Sequence, residues 1–190
     1  MGMEDYPRVE MKSRADWRAW LERNHASHGP IWLATWKKGT PHYMTYADVV
    51  EEALCFGWID STARSLDDQR SMLLLAPRKT KSVWSALNKR RIEKLEAAGL
   101  MHPSGRAKID AAKKDGSWTA LDAVEALEMP ADLAKALGRK GKTTFDGWPP
   151  FLRKQALYWI GAAKRPETRA RRIDEVAAAA KRGERPARWA

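Results

Sequence analysis

The chain has 190 residues, 44% of them hydrophobic, and a formal charge of +11. That length fits one domain, or one domain with a smaller helical partner, and that apolar content excludes disorder over most of it. No run nears the roughly 18–20 apolar residues of a membrane span. Met1 to Glu10 has no charged-then-apolar signal pattern, so a cytosolic protein without membrane insertion is expected.

The charge is uneven. Residues 1–60 sum to −2, residues 61–120 to +7 and residues 121–190 to +6. A basic field over the later two thirds favours anionic partners, nucleic acid among them, or serves solubility alone. The single cysteine, Cys55, builds no disulfide framework and no Cys-rich metal site. It stands in the apolar run Ala53-Leu54-Cys55-Phe56 and reads as buried and inert. Ten tryptophans are an excess; most should be core, and the surplus hints at stacking surfaces.

Residues 1–12 read as a tail or a short lead-in strand. Ser13 has the character of an N-cap, and Trp17, Trp20 and Leu21 share one face of the helix that follows. Pro30 to Trp36 predicts a strand too apolar to be an exposed edge. Thr45 with Asp48 forms a capping box for a helix carrying Ala47, Val50 and Leu54, stopped by Gly57. Trp58 to Leu66 and Ser71 to Ala76 predict a hairpin turning at Asp67-Asp68 and ended by Pro77.

Ser82 is expected to cap a helix to about Ala98, with Trp84, Leu87, Leu95 and Ala98 near one face. A short helix, Arg106 to Lys114, follows and ends at Gly116. Residues 117–147 form a looser connecting segment: a helical turn or two over Ala120 to Leu127, a helix from about Met129 to Gly138, and a basic loop at Arg139 to Lys142. Pro149 and Pro150 suit the first turn of a helix to about Lys164. After Pro166 comes another, Glu167 to Arg182, packing through Ile173, Val176, Ala177 and Ala180. Gly183 to Ala190 reads as a loose tail. The expected fold is α+β: a small antiparallel sheet of about three strands covered by helices (residues 13–116), then a helical carboxyl-terminal unit (residues 148–183).

Chemistry-bearing residues concentrate in one stretch. Trp58, Asp60, Ser61 and Arg64 lie near Arg78, Lys79, Ser82, Trp84, Ser85 and Asn88 in sequence. Trp58 and Asp60 face the same way on a regular strand. A helix starting after Ser82 would offer free N–H groups to an anion. These residues read as a pocket for an anionic or aromatic small molecule; the alternative is that the tryptophans are core and the charges pair locally. Asp60 is the general-base candidate, with Arg64 or Arg78 as electrostatic partner. A second set, Lys164, Arg165, Arg169 and Arg172, suits a basic stripe for nucleic acid or another anion, or a solvated face. His25 and His28 have no further ligands to complete a metal site. No phosphate loop, dinucleotide fingerprint or Gly-x-Ser-x-Gly is present, so no cofactor is expected.

The run Ala53 to Ser61, then Pro77-Arg78-Lys79, Ser82 to Asn88, Leu95 and Gly99 to Met101, resembles the bacterial YdeI/OmpD-associated family. Tyr158-Trp159-Ile160, Ala163 to Arg169 and Arg171-Arg172-Ile173 look like that family's other signature, so the resemblance covers roughly residues 15–183. Trp148-Pro149-Pro150 departs from the polar or small pair expected there. The resemblance implies protection against bacteriocins or cationic antimicrobial peptides and association with an outer-membrane porin. It implies no catalytic residues.

Overall fold

The computed structural model describes residues 2–189, which fall into two compact units that divide between Ala120 and Leu121. The first is α+β. After a 3₁₀ turn at Met3–Asp5 its strands are β1 (Arg8–Glu10), β2 (Ile31–Trp36), β3 (Trp58–Ser65) and β4 (Arg70–Pro77). Its helices are α1 (Arg14–Asn24), α2 (Tyr46–Cys55), α3 (Ala86–Ala97) and α4 (Pro103–Asp115).

The sheet runs β1-β2-β4-β3. The lead-in strand β1 pairs parallel with β2, so the sheet is mixed rather than purely antiparallel. Strand alternation then sorts the side chains. Ile31, Leu33, Leu73, Leu75 and Trp58 join the main core with Trp17, Leu21, Val50 and Leu54 from α1 and α2. Trp32 points the other way, and its indole donates to the Met3 carbonyl (2.7 Å).

Local signals place these elements. Ser13 Oγ accepts from the Asp16 N–H, and Thr45 and Asp48 form the reciprocal capping box. Gly57, at φ 78°, ends α2. The start of α3 differs from expectation. Ser85, not Ser82, is its N-cap and accepts from the Asn88 N–H. Residues 82–84 lie outside the helix, which begins at Ala86. Trp84 therefore precedes the helix, Ile92 and Leu95 carry its buried face, and Leu87 is exposed.

The first unit also buries a charge. Glu52 is 3% exposed; Arg14 Nε donates to it at 2.6 Å and Arg18 Nη1 at 2.8 Å. A buried acceptor flanked by two donors is stabilising only while all three are present. Glu52→Ala should destabilise this unit by about 2 kcal/mol, read as a lower urea midpoint with an unchanged slope. Glu52→Gln, which keeps one acceptor oxygen, should lose less.

The second unit holds α5 (Asp122–Glu125), α6 (Ala131–Asp146), α7 (Pro150–Gly161) and α8 (Pro166–Arg182). Its own core contains Leu133, Leu137, Phe145, Leu152, Ile160, Ile173 and Val176. The expected basic loop at Arg139 to Lys142 is helical. Gly138 breaks the backbone at φ 60°, ψ −172°, a conformation open essentially only to glycine, and the helix resumes at once so that Phe145 reaches the core. Pro166 begins α8 as its first residue, where its missing N–H is no loss. The expected tail instead makes a 3₁₀ turn at Ala187–Trp189, with the Trp189 ring edge-on to Trp159 at 5.5 Å; Met1 and Ala190 lie outside the described residues.

Candidate functional site

In the first unit a cavity of about 60 Å³ lies between the β4–α3 loop and the end of α4. Arg78, Lys79, Thr80, Lys81, Ser82 and Trp84 line it from the loop; Lys108, Ala111, Ala112 and Asp115 line it from α4, with Ser117 beyond. Pro77 ends the ladder, and the Arg78 N–H donates to the Gly57 carbonyl (2.9 Å), tying the loop to the end of α2. Ser82 N–H closes a turn onto the Lys79 carbonyl (3.3 Å), and Lys81 takes a left-handed conformation at φ 61°. The Lys81 N–H donates to Asp115 Oδ2 (3.3 Å), and the Ser117 N–H to Oδ1 (2.9 Å). Hydrogen bonding from Ser117, and then from Lys81, holds the Asp115 carboxyl below its usual range, so it is ionised at neutral pH.

Arg78 is the unusual group. It is 2% exposed, and its guanidinium lies over the Trp84 ring at 3.5 Å from the centroid. Nη1 donates to the Val83 carbonyl (3.2 Å), while Nε and Nη2 are buried with no partner. Burial pushes its pKa down to about 10, against a weaker opposing pull from Asp60. A buried cation with two unmade hydrogen bonds costs free energy unless an acceptor meets it.

Of the residues that sequence reasoning grouped as one pocket, Arg78, Lys79, Ser82 and Trp84 line this cavity, and the others do not. Trp58 is core: it is 1% exposed, edge-on to Trp20, and its indole donates to the His25 carbonyl (3.2 Å). Trp84 is likewise 1% exposed, covered by Arg78 and by Trp118 at 5.2 Å, so neither ring is open to stack a ligand.

Asp60 faces α2 and accepts from Tyr46 Oη at 2.5 Å. Burial and this bond push the tyrosine up to about 12. Arg91 sits 5.7 Å from the Tyr46 ring and donates to Asn88 Oδ1. A bulge between Asp60 and Ala63 shifts the register and leaves Ser61 exposed. Arg64 is not Asp60's partner: it pairs with Glu4 at 2.6 Å and lies over Trp32, on the opposite face of the sheet. Ser85 serves α3 as its cap.

Sequence reasoning missed Lys108, Ala111, Ala112 and Asp115. Their spacing of i, i+3, i+4, i+7 is a legible helical face. Its two small residues let the loop approach, with a charge at either end.

A cluster of rings lies at the start of α4. His102 stacks on Phe56 at 4.7 Å and meets His25 at 4.8 Å, and its Nδ1 accepts from the Ser104 N–H (3.2 Å) as the N-cap. Burial, then the nearby His25 and Arg18, lowers its pKa. The unfolded chain therefore takes up this proton first as pH falls, and folding loses stability below the ordinary histidine pKa of about 6.5. The melting temperature should fall from pH 7 to pH 5, and His102→Asn, a cap that does not titrate, should flatten that slope. Cys55 is buried and free, and burial together with Glu52 pushes its thiol up to about 11, which suits an inert residue.

In the second unit the expected basic stripe is partly used internally. Arg169 makes a bidentate pair with Asp132 (2.7 and 3.0 Å), joining α8 to α6. Arg172 donates to the Trp159 carbonyl and lies 5.0 Å from that ring, joining α8 to α7. Lys164 and Arg165 are exposed. An open groove of about 630 Å³ runs between α6 and α8 past Lys135, Arg169, Asp174 and Lys181. Among the described residues no group of His, Cys, Asp and Glu could hold a metal ion, and no helix is long and apolar enough to cross a membrane.

These features define an α+β unit with a cation-lined cavity, and a separate helical unit braced by arginines. The chain belongs to the family described as a domain of unknown function, DUF8412, whose model matches residues 9–108, more than half of its length. Residues 126–183 match the family described as Bacteriocin-protection, YdeI or OmpD-Associated, the family to which the Ala163-Lys164-Arg165-Pro166-Glu167-Thr168-Arg169 signature points. No curated protein and no solved structure gives a match.

Proposed function

We propose that this chain is a cytosolic, non-enzymatic binding protein that holds a small oxyanion against Arg78, in the service of protection against antimicrobial agents. The observation that carries the reading is the buried Arg78 guanidinium, whose Nε and Nη2 have no partner, in the lining of a cavity bordered by Lys79, Lys81 and Lys108. An oxyanion supplies the acceptors that the guanidinium lacks, in charge-assisted bonds stronger than neutral ones. The description of the family matched by residues 126–183 supports the protective role.

The reading keeps the anionic ligand of the sequence argument and sets aside the aromatic one, because Trp58 and Trp84 are covered. Catalysis by Asp60 is disfavoured by its hydrogen bond to Tyr46 and its place outside the cavity. A nucleic-acid role would rest on Lys164 and Arg165, since Arg169 and Arg172 already have partners. Calorimetric titration at low ionic strength with phosphate, sulfate and acetate tests the proposal. At least one should bind the wild-type chain, and Lys81→Ala/Lys108→Ala should weaken it about tenfold, the loss of two charges near a binding site. Silence from all three anions would overturn it.

A further inference from the structure

We infer that the Arg78 cavity selects inorganic phosphate over sulfate, by the proton that phosphate keeps at neutral pH. This rests on the oxyanion reading above and adds the identity of the ion. The size of the cavity sets the first limit. A volume of about 60 Å³ is well above the roughly 10–15 Å³ that a single water needs. It admits a small tetrahedral ion.

The lining sets the second limit. Arg78, Lys79, Lys81 and Lys108 offer only donors, and the single carboxylate among the lining residues is Asp115. Asp115 is fixed by N–H groups of Lys81 and Ser117 on its two oxygens. An ionised carboxylate can only accept. A fully deprotonated tetrahedral dianion meets it with like charge and no hydrogen to share. Inorganic phosphate retains at least one proton and can donate it to Asp115 while its other oxygens take the Arg78 and lysine donors. Selectivity of this kind comes from an element that repels the wrong ion as much as from one that attracts the right one. A phosphomonoester above its second pKa of about 6 has no such proton, so it should be rejected as sulfate is.

The test is competitive calorimetry of the wild-type chain at pH 8 with sodium phosphate, sodium sulfate and glycerol 3-phosphate. Phosphate should bind about tenfold or more tightly than either of the others, the effect of one charge-assisted hydrogen bond gained or denied. Asp115→Asn, whose amide can donate, should bring the three within about twofold of one another. Sulfate or glycerol 3-phosphate binding as tightly as phosphate to the wild-type chain would overturn the inference and leave the oxyanion reading standing. Binding of none of the three would overturn both. Should Asp115→Asn not fold, the wild-type ranking alone decides; should it fold and keep the ranking, Asp115 is not the selector.

Discussion

Gly105→Ala should leave the amino-terminal unit unable to fold stably. A Cβ on Gly105 would sit 2.2 Å from the Cys55 carbonyl oxygen, 2.8 Å from its carbon and 3.0 Å from the Leu54 oxygen. All three atoms are backbone, so no rotamer change relieves the clash. α4 cannot simply lift away, because its first turn is fastened to the end of α2. The His102 N–H donates to the Cys55 carbonyl (3.1 Å), and Ser104 Oγ donates to the Phe56 carbonyl (3.1 Å). Parting the helices would break both bonds and uncover Ile109 and Ala112, which are buried in the same core. Such damage belongs with the exceptional substitutions above about 4 kcal/mol, set against a total stability of about 5–15 kcal/mol. Gly29→Ala is the matched control. It has nothing within 4 Å and no left-handed backbone, so its effect should stay within about 0.5 kcal/mol. Soluble yield and a urea melt separate the two, and a wild-type melt for Gly105→Ala would mean that α4 is not seated as described.

Local chemistry was the most legible part of the sequence. Ser13, the Thr45/Asp48 box and Gly57 each act within four residues, so the helix boundaries that they set could be read directly. Strand β2 announced its central place by being apolar throughout. The errors fell where a distant partner decides. Ser82 and Ser85 are both good caps, and the choice between them depends on Trp84 being drawn into the core beneath Arg78, which no local rule reveals. Gly138 looked like a helix stop, because the burial of Phe145 that restarts the helix lies seven residues on. The candidate site was half legible for the same reason. The loop residues Arg78, Lys79, Ser82 and Trp84 are near one another in sequence, and all four line the cavity. The α4 face from Lys108 to Asp115 joins them only through the tertiary fold. Trp58 and Asp60 were grouped with them by proximity in sequence, yet they belong to the sheet's core face and to Tyr46.

Arg78→Met should make the chain more stable in anion-free buffer and less stable than the wild type in phosphate. Three magnitudes fix the first sign. Burial moves the guanidinium pKa to about 10, which corresponds to about 3 kcal/mol against the charged form in the fold. The hydrogen bond to the Val83 carbonyl returns about 1 kcal/mol, and the stacking of the cation on Trp84 about 1 kcal/mol more. Methionine keeps the unbranched stem, sets a sulfur near the Trp84 ring and carries no charge, so the balance should favour the variant by about 1 kcal/mol. Phosphate reverses the order. An anion at 100 times its Kd stabilises the wild type by about 2.7 kcal/mol and the variant by much less, because the Arg78 donors are gone and only the lysines remain. Urea melts of both chains, in chloride and in phosphate of matched ionic strength, should therefore cross. A variant less stable than the wild type in both buffers would show that Arg78 holds the loop together rather than waiting for a ligand.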